Sequence, residues 1–533
     1  MYDLIVIGSG CGGSAAAYRA ASKGLRVLCL EAGGQLPPES MITGKTNWEI
    51  SKMEQQLSHG SYSYPNNAYH LPIDTSDSPI RPINFFGVGG STMLYSGHYP
   101  RFRPEDFQGS KNRATSIEWP ISYDDLKPYF EIDYAITSVS GLEGDPYYPD
   151  IKNLLPPVPV GTMGNTLAKG FNALGWHWWP SYSAIATRDF SGHRSCANLG
   201  SCNYGCSNGS KSSSDISYLR QAKDSGVVLV PRAIVTRLIS NGNRIERVEF
   251  MDESGSLQSV ETKTVVLAAG ALGSPRLLLN SATGDHPKGL SNRSGQVGRN
   301  LMLHPLGYAE GFFPNPMDSN LGPQGCCIYS NEFYCGIDQN VYGGYSFQVL
   351  RGPDPIEAMA SWFARGLISA DSHYLSQFEK LFNHTAHIAI IVEDKPSLEN
   401  SIELDFANKD NAGMPGIKMK YSLSEDARQL LSHGVKSARQ VLKASGAHKT
   451  YGYAPVKDTG WHQLGTLKMG KDPTSSVVNE RGQSHDIPNL FVADSSVFVT
   501  SSSVNPASTI RAIALFVADH AITFTLANVE SFS

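Results

Sequence analysis

Residues 3–34 read DLIVIGSGCGGSAAAYRAASKGLRVLCLEAGG. Asp3 to Gly8 is a short, β-branched apolar run of the kind that forms a buried parallel strand. Gly8-Ser9-Gly10-Cys11-Gly12-Gly13 follows as a G-x-G-x-x-G loop. Ser14 to Lys23 is small and helix-prone, Leu25 to Leu30 is a second strand, and Glu31 comes directly after it. Together these predict a βαβ unit that binds a dinucleotide. Gly8 makes the tight turn, Gly10 lets the backbone approach a pyrophosphate, and Gly13 lets the helix pack on the sheet. The helix N-terminus then directs free N–H groups and positive dipole at the phosphates. Glu31 is placed for ribose hydroxyls and disfavours a 2′-phosphate, but the unit itself does not choose between FAD and NAD.

The chain has 533 residues, enough for a large core and more than one domain. Its charged fraction of 17% is below the usual quarter and its 51 glycines are many, as in a compact enzyme rich in tight turns. A net charge of −5 implies no basic surface for nucleic acid or anionic lipid. No apolar run reads as a membrane span, and the first strand begins at once, leaving no room for a signal peptide. A cytoplasmic location is therefore expected. The eight cysteines do not read as a disulfide framework.

Beyond Gly34 the pattern is irregular as far as Pro82. Phe85 to Gly97 (FFGVGGSTMLYSG) then sets three glycines within four residues, followed by hydroxyls. That suits a backbone pressed against a planar ligand or a phosphate. Ser122 with Asp125 predicts a capped helix through Tyr134. Cys196, Cys202 and Cys206 lie in one short segment. Three thiols fall one short of a four-cysteine set and the spacing is not a usual zinc knuckle, so no metal is assigned. Val227–Val230, Ala233–Ile239, Arg244–Met251, Ser256–Thr262 and Val265–Ala269 read as separate strands, with a helix over Arg276–Ser281.

From about residue 302 to 450 the chain changes character. Ala386–Glu393, Ser401–Phe406 and Ile417–Tyr421 read as strands, and Ser424 caps an amphipathic helix to about Ser445. His387 reads as core. Near the C-terminus, Asn489–Asp494 is a strand ending in an acid. Asn505 is placed as the cap, and Pro506 as the first residue, of a helix to about Leu526.

Taken in order, these segments resemble the glucose–methanol–choline oxidoreductases. The resemblance rests on the opening loop with Glu31, GVGGSTMLYSG at 87–97, AAGALGSPRLLLNS at 268–281, and GRNLMLHP at 298–305. WHQLGTLKMG at 461–470, and NLFVADSSVF with SVNPASTI at 489–510, complete it. RFRPEDF and WPISYDDLKPYFE are most like the sugar, gluconate and aminoglycoside-type branch, and GSCNYGCSNGSKSSS is similar to long-chain alcohol oxidases. The resemblance implies an α/β fold: a discontinuous Rossmann-like FAD domain from residues 1–110, 195–301 and 455–533, and an α+β substrate domain with a mostly antiparallel sheet. Residues 111–194 and 302–454 would supply that domain and its connections.

The resemblance also implies a set of FAD contacts. Gly8, Gly10, Cys11, Gly12, Gly13, Glu31 and Ala32 would hold the ADP half, with Val235 against adenine. Gly89, Gly90, Ser91, Tyr95, Ser96, Ala269, Asp494, Asn505 and Pro506 would approach the phosphates, ribityl chain and flavin. Some relatives attach FAD through a histidine where this chain has Leu94, so noncovalent FAD is expected. Some hold an iron–sulfur cluster using adjacent cysteines, but here the second of that pair is Ala197.

Alcohol oxidation needs a base for the hydroxyl proton and a hydride acceptor. The family pattern makes His462 the base and Asn505 the hydrogen-bond donor to the substrate oxygen, while His304 reads as structural. Tyr345, Phe347, Gln348 and Trp362 suggest a hydroxylated ring, such as a sugar, polyol or amino sugar. A long-chain alcohol, other flavin chemistry, or an electron-transfer subunit are the alternatives. Oxygen, a quinone or another carrier would reoxidise the flavin.

Overall fold

The computed structural model describes residues 2–36, 41, 47, 49–50, 69–108, 117–323 and 325–528. Tyr2–Ile7 pairs in parallel on both sides, through Leu4–Ile7 with Val27–Leu30 and along its length with Leu257–Leu267. Val228–Val230 extends this sheet beyond Val27–Leu30, and Leu490–Val492 joins it on Leu257–Leu267. The last strand thus returns from the far end of the chain to the first. A meander of Ile234–Asn241 and Arg244–Met251 completes seven strands.

Leu257–Leu267 is one strand, not the two that the sequence suggests. Its first half pairs with the meander and its second with the parallel sheet. Polar Thr264 does not break it, because the Thr525 hydroxyl bonds its own at 2.8 Å in the core. The helix after it spans Gly270–Asn280, starting earlier than expected. Pro275 lies inside and cannot donate to the Ala271 carbonyl. Thr466 Oγ1 donates to that carbonyl instead, at 2.7 Å.

Cys11–Ser22 packs on the C-terminal helix Ala507–Ala527, as does Tyr123–Thr137, whose Ser122 cap and Asp125 box form as expected. Ala507–Ala527 is long and apolar enough to cross a bilayer. That corrects the reading that no run reaches that length. Here the helix lies largely in the core, where an all-round apolar surface is what burial requires. Buried Arg511 within it donates to Tyr99 and Thr137 and faces Asp133 at 3.8 Å.

A second, wholly antiparallel sheet runs Lys449–Tyr453, Leu306–Phe312, Thr385–Val392, Tyr345–Leu350, Cys326–Ser330 and Trp179–Pro180. Its strands alternate with period two. Tyr345, Phe347, Val349, Ile388 and Ile390 meet the helices Gly161–Leu174 and Glu425–Ala444 in one apolar core. Gln348, Leu350, Ala389 and Ile391 face the other way, into a cavity. Trp362 is buried on Phe312 elsewhere, and its indole donates to Glu310. Of the four residues expected at the substrate, only Gln348 reaches the cavity.

A small third sheet pairs Ile73–Asp77 with Pro415–Lys420, so a strand from the first hundred residues joins the later region. The irregular stretch after Gly34 lies largely outside the described residues. Arg276 ties the two sheet systems together, bonding Asp410 at 2.6 Å and the Pro415 carbonyl at 2.7 Å.

Candidate active site

One elongated cavity runs from the end of the parallel sheet to the inner face of the antiparallel one. At its first end lie Gly8, Gly10, Cys11, Gly12, Glu31, Ala32 and Val235. Gly8 holds φ +96°, and a side chain there would strike the Ala268 carbonyl at 2.4 Å, so only glycine makes this turn. Gly13 does not line the cavity. A Cβ on it would sit 1.9 Å from the Gly8 carbonyl, which makes it a packing residue beneath the loop. No side chain caps the N-terminus of Cys11–Ser22, whose first N–H groups are left for an anion. Glu31 accepts from Ser9 N and Oγ on one oxygen and from Gly33 N on the other. A carboxylate has about four acceptor positions, so capacity for a ribose hydroxyl remains.

The middle of the cavity is walled by Gly90, Ser91, Tyr95, Ser96 and Ala269. Gly89 lies behind it, against Met93. Leu94 also lines this wall. Lys211 anchors this segment from below, donating to the carbonyls of Met93, Tyr95 and Cys202 at 2.8, 2.9 and 2.6 Å. Asp494 lines the cavity, yet both its oxygens are engaged, by Ser496 N and Oγ and by Gly270 N and Ser274 Oγ. It braces two chain segments, and burial raises its pKa.

Pro506 is the N-cap of the C-terminal helix, not its first residue, and no side chain caps that end. Asn505 is thereby freed from the capping role expected of it. Its amide nitrogen lies 3.3 Å from His462 Nε2, and its oxygen accepts from Gln348 Nε2 at 2.5 Å. His462 Nδ1 is 3.0 Å from Nδ1 of His304, with the two rings nearly perpendicular at 87°. His304, read from sequence as structural, therefore touches the candidate base, and no local pattern in LMLHP reveals this. His304 Nε2 reaches the carbonyls of Ser501 and Ser502 at 2.8 and 3.0 Å. His98 also lines the cavity, its Nδ1 2.7 Å from Ser181 Oγ.

Burial holds all three imidazoles below the ordinary histidine value: His98 down to about 3, His304 to about 4, and His462 well below. For His462 the neighbouring His304 and His98 add to the effect. All three are neutral near pH 7, as a proton acceptor requires. His387 is also enclosed, beside Glu310, and burial lowers its pKa too.

None of the eight cysteines is in a disulfide, and among the described residues no three His, Cys, Asp or Glu side chains cluster as a metal site.

The GMC oxidoreductase family models match residues 87–306 and 396–514, and an FAD binding domain model matches residues 3–40. The chain also aligns with 2-methyl-1,2-propanediol dehydrogenase of Mycolicibacterium austroafricanum at 34% identity, over 97% of this chain and 94% of that protein. This chain belongs to the GMC oxidoreductase family. It is an FAD-dependent alcohol oxidoreductase. Fructose dehydrogenase large subunit of Gluconobacter japonicus is similar at 26% identity, over 97% of each chain. Paromamine 6'-oxidase of Streptomyces fradiae is similar at 26% identity, over 97% of this chain and 90% of that one. In fold, this GMC oxidoreductase resembles pyridoxine 4-oxidase from Mesorbium loti, with a TM-score of 0.67 at 18% identity, covering 98% and 99% of the two chains.

Proposed function

We propose that this GMC oxidoreductase oxidises a small, uncharged hydroxylated compound, a diol, polyol or neutral sugar, to a carbonyl product. The carrying observation is the chemistry of the cavity wall. Among the described residues that line it, the side chains charged near pH 7 are Glu31, Arg276 and Asp494, the two lining histidines being neutral. All three belong to the cofactor half or brace the fold, through Ser9, Asp410 and Ser274 respectively. The other half offers His462, Asn505 and Gln348 among Leu306, Leu350, Ala389 and Ile391. A polycationic amino sugar or a carboxylate would find no charged partner there among the described residues, and burying an unpaired charge costs several kcal/mol. The similarity to an enzyme named for a small branched diol points the same way.

In this reading Gly10, Cys11, Gly12, Glu31, Ala32 and Val235 hold the ADP half of FAD. Gly90, Ser91, Tyr95, Ser96, Ala269 and Pro506 flank the rest, and Leu94 leaves the attachment noncovalent. Bound FAD supplies the hydride acceptor. His462 Nε2 takes the hydroxyl proton, and Asn505 donates to the same oxygen and fixes which C–H faces the cofactor. Tyr308 also lines the cavity. Those apolar walls make an alkyl alcohol the second reading. None of the eight cysteines is in a disulfide, which suits a reducing, cytoplasmic compartment.

The test is anaerobic mixing of the yellow holoenzyme with 1,2-diols, neutral sugars, aminoglycosides, aldonic acids and fatty alcohols. Bleaching of the flavin by the neutral diols or sugars is expected. Reduction by charged substrates alone would overturn the proposal, and reduction by fatty alcohols alone would select the second reading.

A further inference from the structure

We infer that His304 is a positioning residue that fixes the tautomer of His462, keeping the proton on His462 Nδ1 and the lone pair of Nε2 turned to the cavity. This rests on the reading of His462 as base. The chain of hydrogen bonds permits one consistent order of protons. Two carbonyl oxygens, of Ser501 and Ser502, lie within 3.0 Å of His304 Nε2. Carbonyls only accept, so that nitrogen must carry a hydrogen. A neutral imidazole has a single N–H, and burial keeps His304 neutral. Its Nδ1 is therefore an acceptor. The partner it faces, His462 Nδ1 at 3.0 Å, must then be the donor. His462 Nε2 is left unprotonated.

The opposite side of His462 agrees. Asn505 presents its amide nitrogen to Nε2 because Gln348 donates to the amide oxygen. With the amide so oriented, Asn505 is a donor, which a lone pair on Nε2 can accept. Two pieces of backbone hold the relay in place. His304 has φ +49° and Ser502 has φ +61°, both in the left-handed region that non-glycine residues rarely occupy. The Ser501 hydroxyl also bonds both backbone groups of Asp394, at 2.7 and 3.1 Å, which fixes the segment that offers the carbonyls. The wrong tautomer would aim an N–H at the substrate hydroxyl, and loss of the correct one in a serine-protease triad costs about 10⁴ in rate.

The experiment compares rapid anaerobic flavin reduction in wild type, His304→Leu, His304→Asn and His462→Ala holoenzymes, with ¹⁵N NMR of the histidines in wild type, His462 being assigned by difference. His304→Leu should retain FAD and substrate affinity yet reduce its flavin on the order of 10²-fold more slowly or worse. His304→Asn, whose side-chain oxygen can still accept from His462 Nδ1–H, should recover at least about ten-fold of that loss. The NMR should report His462 as the Nδ1–H form, a readout that stands even if His304→Leu does not fold. Wild-type reduction in His304→Leu, no rescue by asparagine, or an Nε2–H signal for His462 would each overturn the assignment. If His462→Ala itself reduces normally, it is the base reading that fails.

Discussion

Gly10 and Gly90 meet across the floor of the cavity: a Cβ on Gly90 would lie 2.6 Å from the α-carbon of Gly10. The two glycine-rich loops, about eighty residues apart in sequence, thus form one surface. Gly90 also holds φ +56°, so a side chain there is strained as well as obstructed. Gly90→Ala should push the loops apart and yield protein depleted in flavin. Flavin-to-protein absorbance after purification measures it, and a full complement of FAD in the variant would refute the account.

His462→Ala should remove the proton acceptor while leaving the cofactor cradle, which is built from other segments. Flavin reduction at saturating substrate should slow by about 10²–10⁴-fold, the usual contribution of a general base, with FAD content unchanged. Unaltered reduction kinetics would exclude His462 as the base.

The pH dependence has a definite sign. The folded protein holds His462 well below the usual histidine value through burial and through His304 and His98. Its accepting form therefore persists as the pH falls through ~6.5, the ordinary histidine value. The acidic limb of kcat/KM should lie below that value. An acidic limb centred near 7 would contradict the environment described.

The same burial links stability to pH. His98 is held at about 3 and His304 at about 4, so the unfolded chain takes up protons first as the pH drops. Stability contributed by these two groups is present above about pH 6.5 and is lost as the pH falls toward their folded values, by about 2 kcal/mol each at pH 5. Thermal midpoints of the holoenzyme should fall between pH 7 and 5. An unchanged midpoint would show that these imidazoles are not buried neutral.

Lys211→Met would keep the packing of the lysine stem but leave three carbonyls without their donor. Each buried acceptor so orphaned costs about 1–3 kcal/mol. The thermal midpoint should drop by several degrees and flavin retention should weaken, because Met93 and Tyr95 carry two of the carbonyls. Wild-type behaviour in both measures would mean that the ammonium is dispensable.

The opening βαβ unit, the Ser122 and Ser424 caps, the strand Thr385–Val392 and the closing strand Leu490–Val492 are all legible in sequence, since each depends on local pattern. The other strands of the antiparallel sheet are not, and Ser401–Lys409 and Pro415–Lys420 pair in the third sheet instead. The errors share a cause. In Leu257–Leu267 a polar pair looks like a break between two strands, and in Gly270–Asn280 a proline makes the helix look shorter than it is. Thr525 and Thr466, both distant in sequence, satisfy the groups concerned. Tyr345 and Phe347 suggested a sugar platform, but strand alternation turns them into the core and leaves Gln348 facing the cavity.

By itself the sequence determined the nucleotide unit, whose chemistry is intrinsic to residue type and spacing. Through the family resemblance of six ordered motifs it also pointed to FAD as cofactor and to His462 with Asn505 as candidate site residues. The tertiary structure alone decided that Asp494 is a brace and that His304 and Gln348 stand on either side of the His462–Asn505 pair. Such roles depend on which nitrogen faces which oxygen across more than a hundred residues of chain, and no local pattern records that.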